Sequence, residues 1–134
     1  MRVSRGDVVV VELSPTKGSE QRESETLTGS RSQRSREQRG TRPCLVVQND
    51  VGNRNAPTTI VVPFTTSFDD ELYPFEVLFE SDESPLKEDS VALCSQIRTV
   101  SVEHRIKENL GQVSDERMRE IDTALEYSLG LVEI

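Results

Sequence analysis

The sequence has few aromatic residues and no long hydrophobic run. Its 134 residues include no tryptophan, two tyrosines and four phenylalanines, so the hydrophobic core has to be built mainly from Val, Leu and Ile. No apolar run approaches the roughly 20 residues that a membrane-spanning helix needs. The opening MRVSRGDVVVVEL lacks the apolar core and cleavage site of a signal peptide. We therefore expect a cytoplasmic protein that forms a single domain over residues 1–134 and has no membrane partner.

The scarcity of cysteine and histidine argues against a metal site. Cys44 and Cys94 each lie in an apolar, strand-like run, and the only histidine, His104, lies in a polar segment. No CxxC or HxxxH spacing is present, so we expect neither a zinc site nor another cofactor. We interpret the cysteines as small buried hydrophobic residues and His104 as a surface residue rather than a member of a catalytic triad. Arginine, hydroxyl and carboxylate groups remain as candidates for chemistry.

The charge of the chain is unevenly distributed. Sixteen Lys and Arg residues against 24 Asp and Glu residues give a net charge of −8, which argues against nucleic-acid binding through net charge alone. Residues 22–42 nevertheless contain six arginines and three glutamates, whereas residues 69–89 contain nine acidic residues and one lysine. A basic arm on an acidic body makes the position of each charge more informative than the total.

Short β-branched runs separated by turn residues predict a mainly β fold. Pro63 lies inside one of these runs, where a missing N–H donor is typical of an edge or a bulge. The segment VGNRNAP, residues 51–57, is expected to form a turn. The predicted strands lie at about 7–13, 43–49, 58–66 and 74–80, then at 90–101 as one bent strand or two short ones, with a weak strand or extended connection in RIKENLGQVS.

The C-terminal segment has the pattern of one amphipathic helix. Ser114 is a candidate N-cap, and acidic residues follow it in the first turn. Apolar residues then recur at helical spacing, and Gly130 is a stop signal. The stripe consists of Met118, Ile121, Ala124, Leu125 and Leu129. Short strands followed by one helix predict a small β-barrel with a C-terminal α-helix packed on it.

A long polar segment separates the first two predicted strands. Residues 14–42 contain almost no apolar side chain, and the Ser/Arg-rich part at about 22–39 is predicted to be a disordered insertion. Such a segment is either a solvated, mobile insertion or a specific binding arm. Composition alone leaves both readings open.

Several blocks of the sequence together resemble the MazF/PemK (Kid-type) family, the toxins of type II toxin–antitoxin systems. The resemblance covers nearly the whole chain except residues 22–39, and the blocks occur in the family's order and spacing. They are RGDVVVVELSPTKGSEQ, GTRPCLVVQNDVGNRNAPTTIVVPFTT, DSVALCSQIRT and the helical ALEYSLGL.

The resemblance implies an SH3-like barrel that acts as a homodimer and binds a cognate antitoxin protein. It also implies a metal-independent endoribonuclease that cuts single-stranded mRNA and leaves 2′,3′-cyclic phosphate and 5′-hydroxyl ends. The family's catalytic arginine, in its G-x-R-P motif, falls on Arg42, and its catalytic threonine falls on Thr65. The family's RNA-binding loop falls on Gly18, Ser19, Glu20 and Gln21.

One departure from the Kid-type branch bears on the mechanism. That branch has a histidine in the RNA-binding loop and an Arg-Cys-Asp triplet later in the chain, where this sequence has Ser19 and the triplet Leu93, Cys94, Ser95. The Arg/Thr mechanism is therefore favoured over a His/Arg/Asp mechanism. The general base is unassigned, with Glu20 as a candidate.

Two other functions remain open at this stage. One is a non-catalytic barrel that binds nucleic acid or a peptide, and the other is a gyrase-targeting toxin of the same fold. Arg98 also has two readings, as a phosphate ligand or as a structural ion pair.

Overall fold

A computed structural model describes residues 1–13 and 40–134, and all structural statements below concern those residues. They form seven strands and three helices, with a short 3₁₀ turn at Ser81–Glu83. The strands are β1 (Asp7–Glu12), β2 (Thr41–Val46), β3 (Thr58–Thr65), β4 (Glu76–Phe79), β5 (Ser90–Leu93), β6 (Arg98–Ser101) and β7 (Ile106–Gln112). The helices are α1 (Asp50–Asn55), α2 (Val102–Arg105) and α3 (Asp115–Ser128).

The strands pair in the order β4-β5-β3-β2-β1-β7, and β6 pairs with the first half of β3. Every pairing is antiparallel. Within the described residues β4 and β7 each pair with one neighbour, so the path of hydrogen bonds is barrel-like but does not close. The prediction of a mainly β, small barrel-like fold with a C-terminal helix is confirmed.

Alternate residues of the central strands face two hydrophobic cores, because side chains in a strand point to opposite faces. The core beneath α3, here called the helix-side core, contains Val8, Leu45, Val62, Phe64, Phe79, Met118, Ile121 and Ala124 among others. The core on the other face, here called the barrel core, contains Val9, Val11, Cys44, Val46, Val61, Val100 and Ile106 among others.

Pro63 lies where β3 exchanges one neighbouring strand for another. Val61 is the last β3 residue paired with β6, and Phe64 is the first one paired with β5. Pro63, which has no N–H donor, thus lies between the part of β3 that pairs with β6 and the part that pairs with β5. It does not lie at the outer edge of the sheet. The segment at 90–101 correspondingly forms two strands, β5 and β6, which pair with different parts of β3.

Of the helices α3 and α1, the sequence predicted only α3. α3 begins after Ser114, whose hydroxyl accepts a hydrogen bond from the Arg117 N–H at 3.2 Å, so the predicted cap is confirmed. The predicted turn after β2 is instead the short helix α1. Its N-cap is Asn49, whose side chain accepts from the Gly52 N–H at 2.7 Å.

The C-terminal end of the apolar stripe is less buried than predicted. Met118, Ile121 and Ala124 are buried, whereas Leu129 follows the last helical residue and is 60% exposed. Gly130 adopts a φ of 73°, the left-handed conformation expected of a helix stop. None of the helices formed by the described residues is long and apolar enough to cross a membrane.

Candidate active site

Arg42 lies near the start of β2, beside the end of β3. Its side chain is half-buried, and Nη2 donates a hydrogen bond to the carbonyl oxygen of Phe64 at 2.9 Å. β2 and β3 pair Cys44 with Pro63, and continuing that register by two residues sets Arg42 opposite Thr65. The two residues proposed from the resemblance, 23 positions apart in sequence, therefore lie on neighbouring strands and face the same side of the sheet.

The Thr65 hydroxyl is placed by a local turn at the end of β3. Its oxygen accepts a hydrogen bond from the Ser67 N–H at 3.1 Å, and its proton is directed to the Ser67 carbonyl oxygen at 3.3 Å. The first contact fixes the oxygen. A hydroxyl proton can rotate about the C–O bond, so this group can also donate elsewhere.

Arg42 and Thr65 both line a small, hydroxyl-rich pocket of about 270 Å³. Its side chains offer a guanidinium group and several hydroxyls, and no carboxylate from the described residues lines it. The lining consists of Arg42, Pro43, Phe64, Thr65, Thr66, Ser67 and Ser90.

A larger pocket of about 500 Å³ lies on the other side of Arg42, over the barrel core. Arg42, Arg98 and Arg105 all line it, and again no carboxylate from the described residues does so. These three arginines share one cavity although the chain has a net charge of −8. A concave, locally cationic surface of this kind concentrates anions although the molecule as a whole is acidic.

Two of these arginines also hold the end of β1. Arg98 Nη2 donates to the Leu13 carbonyl oxygen at 3.2 Å, and Arg105 Nη1 donates to the Glu12 carbonyl oxygen at 3.2 Å. Among the ion pairs of the described residues, none involves Arg98. In residues 1–13 and 40–134, the contact seen for Arg98 is therefore with a backbone carbonyl and not with a carboxylate.

Cys44 forms part of the floor of the larger pocket but is not a candidate nucleophile. Burial raises the pKa of its thiol to about 12, against the opposing effect of the positive charges of Arg42 and Arg98. Burial likewise raises the pKa of Cys94 to about 12. Both cysteines are free and buried, as predicted, and their thiols stay protonated at neutral pH.

Several residues named from the sequence do not join this site. Gly18, Ser19, Glu20 and Gln21, and the insertion at 22–39, lie outside the described residues. His104 is an exposed residue of α2, with its ring near Glu103. In residues 1–13 and 40–134, no group of three or more His, Cys, Asp or Glu side chains is arranged to hold a metal ion.

Sequence reasoning missed Arg105, Ser67 and Ser90. Arg105 lies in a polar segment next to His104 and matches no motif, and the two serines carry no sequence signal of their own. The pairing of β3 with β2 and β5, and the position of α2 after β6, bring these residues to the two pockets.

The model of the family described as "PemK-like, MazF-like toxin of type II toxin-antitoxin system" matches residues 4–129. The chain belongs to this family. The family expectation raised by the sequence blocks is therefore confirmed.

Individual relatives agree with membership of the MazF-like family. The endoribonuclease MazF of Staphylococcus saprophyticus is 39% identical over 127 residues, which are 95% of this chain and 91% of the relative. A solved mycobacterial endoribonuclease in complex with its cognate antitoxin has a TM-score of 0.71 at 23% identity, covering 98% of this chain and 99% of the other. MazF of Deinococcus radiodurans has a TM-score of 0.67 at 22% identity, covering 97% of this chain and 98% of the other. At these identities the structural likenesses establish the shared fold alone.

Proposed function

We propose that this MazF-like chain is an endoribonuclease toxin that cuts single-stranded mRNA without a metal ion. In the proposed reaction the 2′-hydroxyl attacks the adjacent phosphorus and the 5′-oxygen departs, which leaves a 2′,3′-cyclic phosphate and a 5′-hydroxyl end. The 39% identity to an endoribonuclease MazF supports the activity. The observation that carries the proposal is that Arg42 and Thr65 line one small pocket together, and that no carboxylate of the described residues lines it.

RNA supplies its own nucleophile, so the protein has three tasks. It must hold the 2′-hydroxyl in line with the scissile bond, stabilise the charge that builds on the phosphoryl oxygens, and support departure of the 5′-oxygen. DNA lacks the 2′-hydroxyl and is not a substrate for this chemistry.

Arg42 is suited to the second and third tasks. A guanidinium group stays charged and offers forked N–H donors that match a phosphate. One of these donors is held by the Phe64 carbonyl oxygen, and the following Pro43 favours an extended backbone at Arg42. We assign Arg42 to charge stabilisation and to proton donation to the leaving oxygen.

Thr65 is suited to a supporting role on the same phosphate. Its oxygen is fixed by Ser67, and its proton can turn from the Ser67 carbonyl toward a phosphoryl oxygen. A neutral donor aimed at a developing oxyanion stabilises the transition state more than the ground state. Thr65 and Arg42 would then donate to the phosphoryl group from neighbouring strands.

The proton of the 2′-hydroxyl needs an acceptor, and arginine is a poor one. No described carboxylate lines either pocket. We propose Glu20 as the general base. It belongs to the RNA-binding loop Gly18, Ser19, Glu20 and Gln21, which follows Leu13 closely in sequence. Leu13 itself lines the larger pocket.

The same assignment implies two protein partners. Solved relatives include an endoribonuclease with its cognate antitoxin and a MazE–MazF complex from Deinococcus radiodurans. We propose that this chain acts as a homodimer in the cytoplasm and is neutralised by its own antitoxin. An antitoxin segment with an acidic character would be complementary to the three-arginine pocket.

The test is to map the ends produced from a long single-stranded RNA in the presence of EDTA. We expect cuts at one short sequence, with cyclic phosphate and 5′-hydroxyl ends, and we expect Arg42→Ala to bind RNA without cutting it. Binding without cutting by the wild-type protein would favour the non-catalytic barrel. Cutting that stops in EDTA and returns with a divalent metal would refute the metal-independent mechanism.

A further inference from the structure

The Arg98 side chain has a position that the proposed chemistry at Arg42 and Thr65 does not explain. It extends from the first residue of β6 and lines the 500 Å³ pocket that Arg42 also lines. The two guanidinium groups thus reach one cavity from different strands, β6 and β2. Both of their charges also act on the thiol of Cys44 beneath them.

We propose that Arg98 binds a second phosphate group of the RNA, next to the one that Arg42 contacts. This inference rests on the proposed function for the identity of the polyanion, and it adds a phosphate subsite that positions the strand. Arg98 touches no reacting atom in this scheme, so it is a binding and positioning residue.

The hydrogen bonding of Arg98 leaves it able to bind a phosphate. An arginine has five N–H donors in a planar fork, and the described part of the chain accounts for one of them, the contact with the Leu13 carbonyl oxygen. That contact fixes the direction of the side chain. Among the described residues no carboxylate forms an ion pair with it. A half-buried cation that is held in place, and that has no counter-ion among the described residues, is suited to an external anion.

The rest of the pocket matches a nucleotide better than a bare ion. Its volume lies within the roughly 300–1,000 Å³ of small-molecule sites. Gln96, Thr99 and Ser101 supply polar groups, while Ile97 and Val61 supply apolar surface. A sugar and base can pack against such a wall while the phosphate contacts the guanidinium group.

The salt dependence of binding separates a phosphate contact from a structural role. For a single strand, each phosphate contact contributes about 0.7 to the slope of log affinity against log salt concentration. The probe is a 12-nucleotide, mixed-sequence, single-stranded DNA, which binds through its phosphates but cannot be cut. Affinities are measured at several salt concentrations for the wild type, Arg98→Gln and Arg98→Lys.

We expect Arg98→Gln to weaken binding about tenfold at low salt and to reduce the slope by about 0.7. Arg98→Lys keeps the charge, so its slope should stay near the wild-type value. The matched control is Arg119→Gln, which removes one exposed arginine from α3 on the other face of the sheet. It should leave both affinity and slope unchanged.

Three results would overturn the inference. One is an unchanged slope in a folded Arg98→Gln protein that still binds an acidic peptide normally, even if its affinity for the DNA falls, because that pattern indicates a structural role through Leu13. The second is an equal change in Arg119→Gln, which indicates a general charge effect. The third is a slope that stays unchanged while an acidic peptide binds more weakly, which assigns the pocket to protein carboxylates.

If Arg98→Gln does not fold, Arg98→Lys serves with a modified probe. In that case the phosphates of the 12-nucleotide DNA probe are replaced by neutral methylphosphonates, one at a time. One of these replacements should weaken wild-type binding about tenfold and have clearly less effect on Arg98→Lys, because the lysine no longer forms the forked contact. Equal effects in both proteins would exclude the subsite. The binding readouts do not depend on cleavage, so failure of the proposed function and failure of this inference give different results.

Discussion

Arg42 donates from Nη2 to the Phe64 carbonyl oxygen at 2.9 Å, which holds its guanidinium group beside the residue that precedes Thr65. The contact joins the start of β2 to the end of β3 through a side chain. It means that the orientation of Arg42 is set before any substrate arrives, and such pre-organisation lowers the entropic cost of reaching the transition state.

Arg42→Lys is predicted to lose most cleavage although it keeps the charge. Lysine presents a compact charge without a fork, so it cannot contact the Phe64 carbonyl and a phosphate in the same way. Loss of one pre-organised transition-state donor costs about 10²–10³-fold in rate. Single-turnover cleavage of RNA measures this, with Arg119→Lys as the control that should cut at the wild-type rate. Near-normal cutting by Arg42→Lys would show that charge alone is sufficient.

Thr65 is predicted to act through its hydroxyl rather than its shape. Thr65→Val keeps the β-branched shape but removes the donor, and we expect about 10²-fold slower cleavage. Thr65→Ser keeps the hydroxyl and should stay within about tenfold of the wild type. Substrate affinity should change little in either variant. If valine and serine reduce the rate equally, the side chain contributes packing and not a hydrogen bond.

Deletion of residues 23–38 is predicted to leave the barrel folded. The last residue pair between β1 and β2 is Glu12 with Thr41, and the Leu13 N–H donates to the Gly40 carbonyl oxygen at 3.4 Å. The two ends of the intervening segment are therefore adjacent, and a shorter loop can join them. Thermal unfolding should be nearly unchanged. RNA or antitoxin binding should weaken if the arginines of this segment attract a partner, and unchanged affinity for both would make it a passive loop.

The buried thiols predict a loss of stability in alkali. An unfolded cysteine deprotonates near its ordinary pKa of 9.0, whereas burial raises the pKa of Cys44 and Cys94 to about 12. Between these values the folded state holds more protons than the unfolded state, so stability falls as pH rises from about 9 to 12. Urea unfolding of the wild type and of the Cys44→Ala/Cys94→Ala variant measures this. The double variant should show a flatter decline above pH 9, and parallel curves would contradict the prediction.

The cap of α3 is predicted to contribute measurably to stability. Ser114 accepts from the Arg117 N–H, and Ser114→Ala should lower the free energy of unfolding by about 1 kcal/mol. Ser114→Asp restores an acceptor and should recover most of the loss. If both substitutions destabilise the protein equally, the Ser114 hydroxyl does not stabilise α3 by capping it. Cleavage should be unaffected, because α3 packs on the helix-side core.

The parts of the fold that could be predicted are those with a strong local pattern. The valine run of β1 and the cap and stripe of α3 each have enough periodic residues to determine their own structure. α1 was predicted as a turn because its sequence is rich in Asn and Gly and is followed by Pro57, a composition with low helix propensity. In the structure none of its residues is buried. The split of 90–101 into β5 and β6 depends on β3, which lies some 30 residues earlier in the chain.

The candidate site was predictable only in part for the same reason. Arg42 and Thr65 came from the resemblance, and in the structure both line the smaller pocket. The larger pocket collects Arg42, Arg98 and Arg105 from three separate elements. No local sequence spacing relates these three residues. Their position around one pocket could therefore be seen only once the arrangement of the strands and helices was known.

The most direct test of the account is the dependence of the Arg42→Ala defect on the leaving group. Once the cut site is mapped, the bridging 5′-oxygen of the scissile phosphate is replaced by sulfur, which departs without being protonated. If Arg42 donates a proton to the leaving oxygen, the single-turnover defect of Arg42→Ala should shrink by at least about tenfold on the sulfur substrate. An equal defect on both substrates, with unchanged binding, would contradict that role.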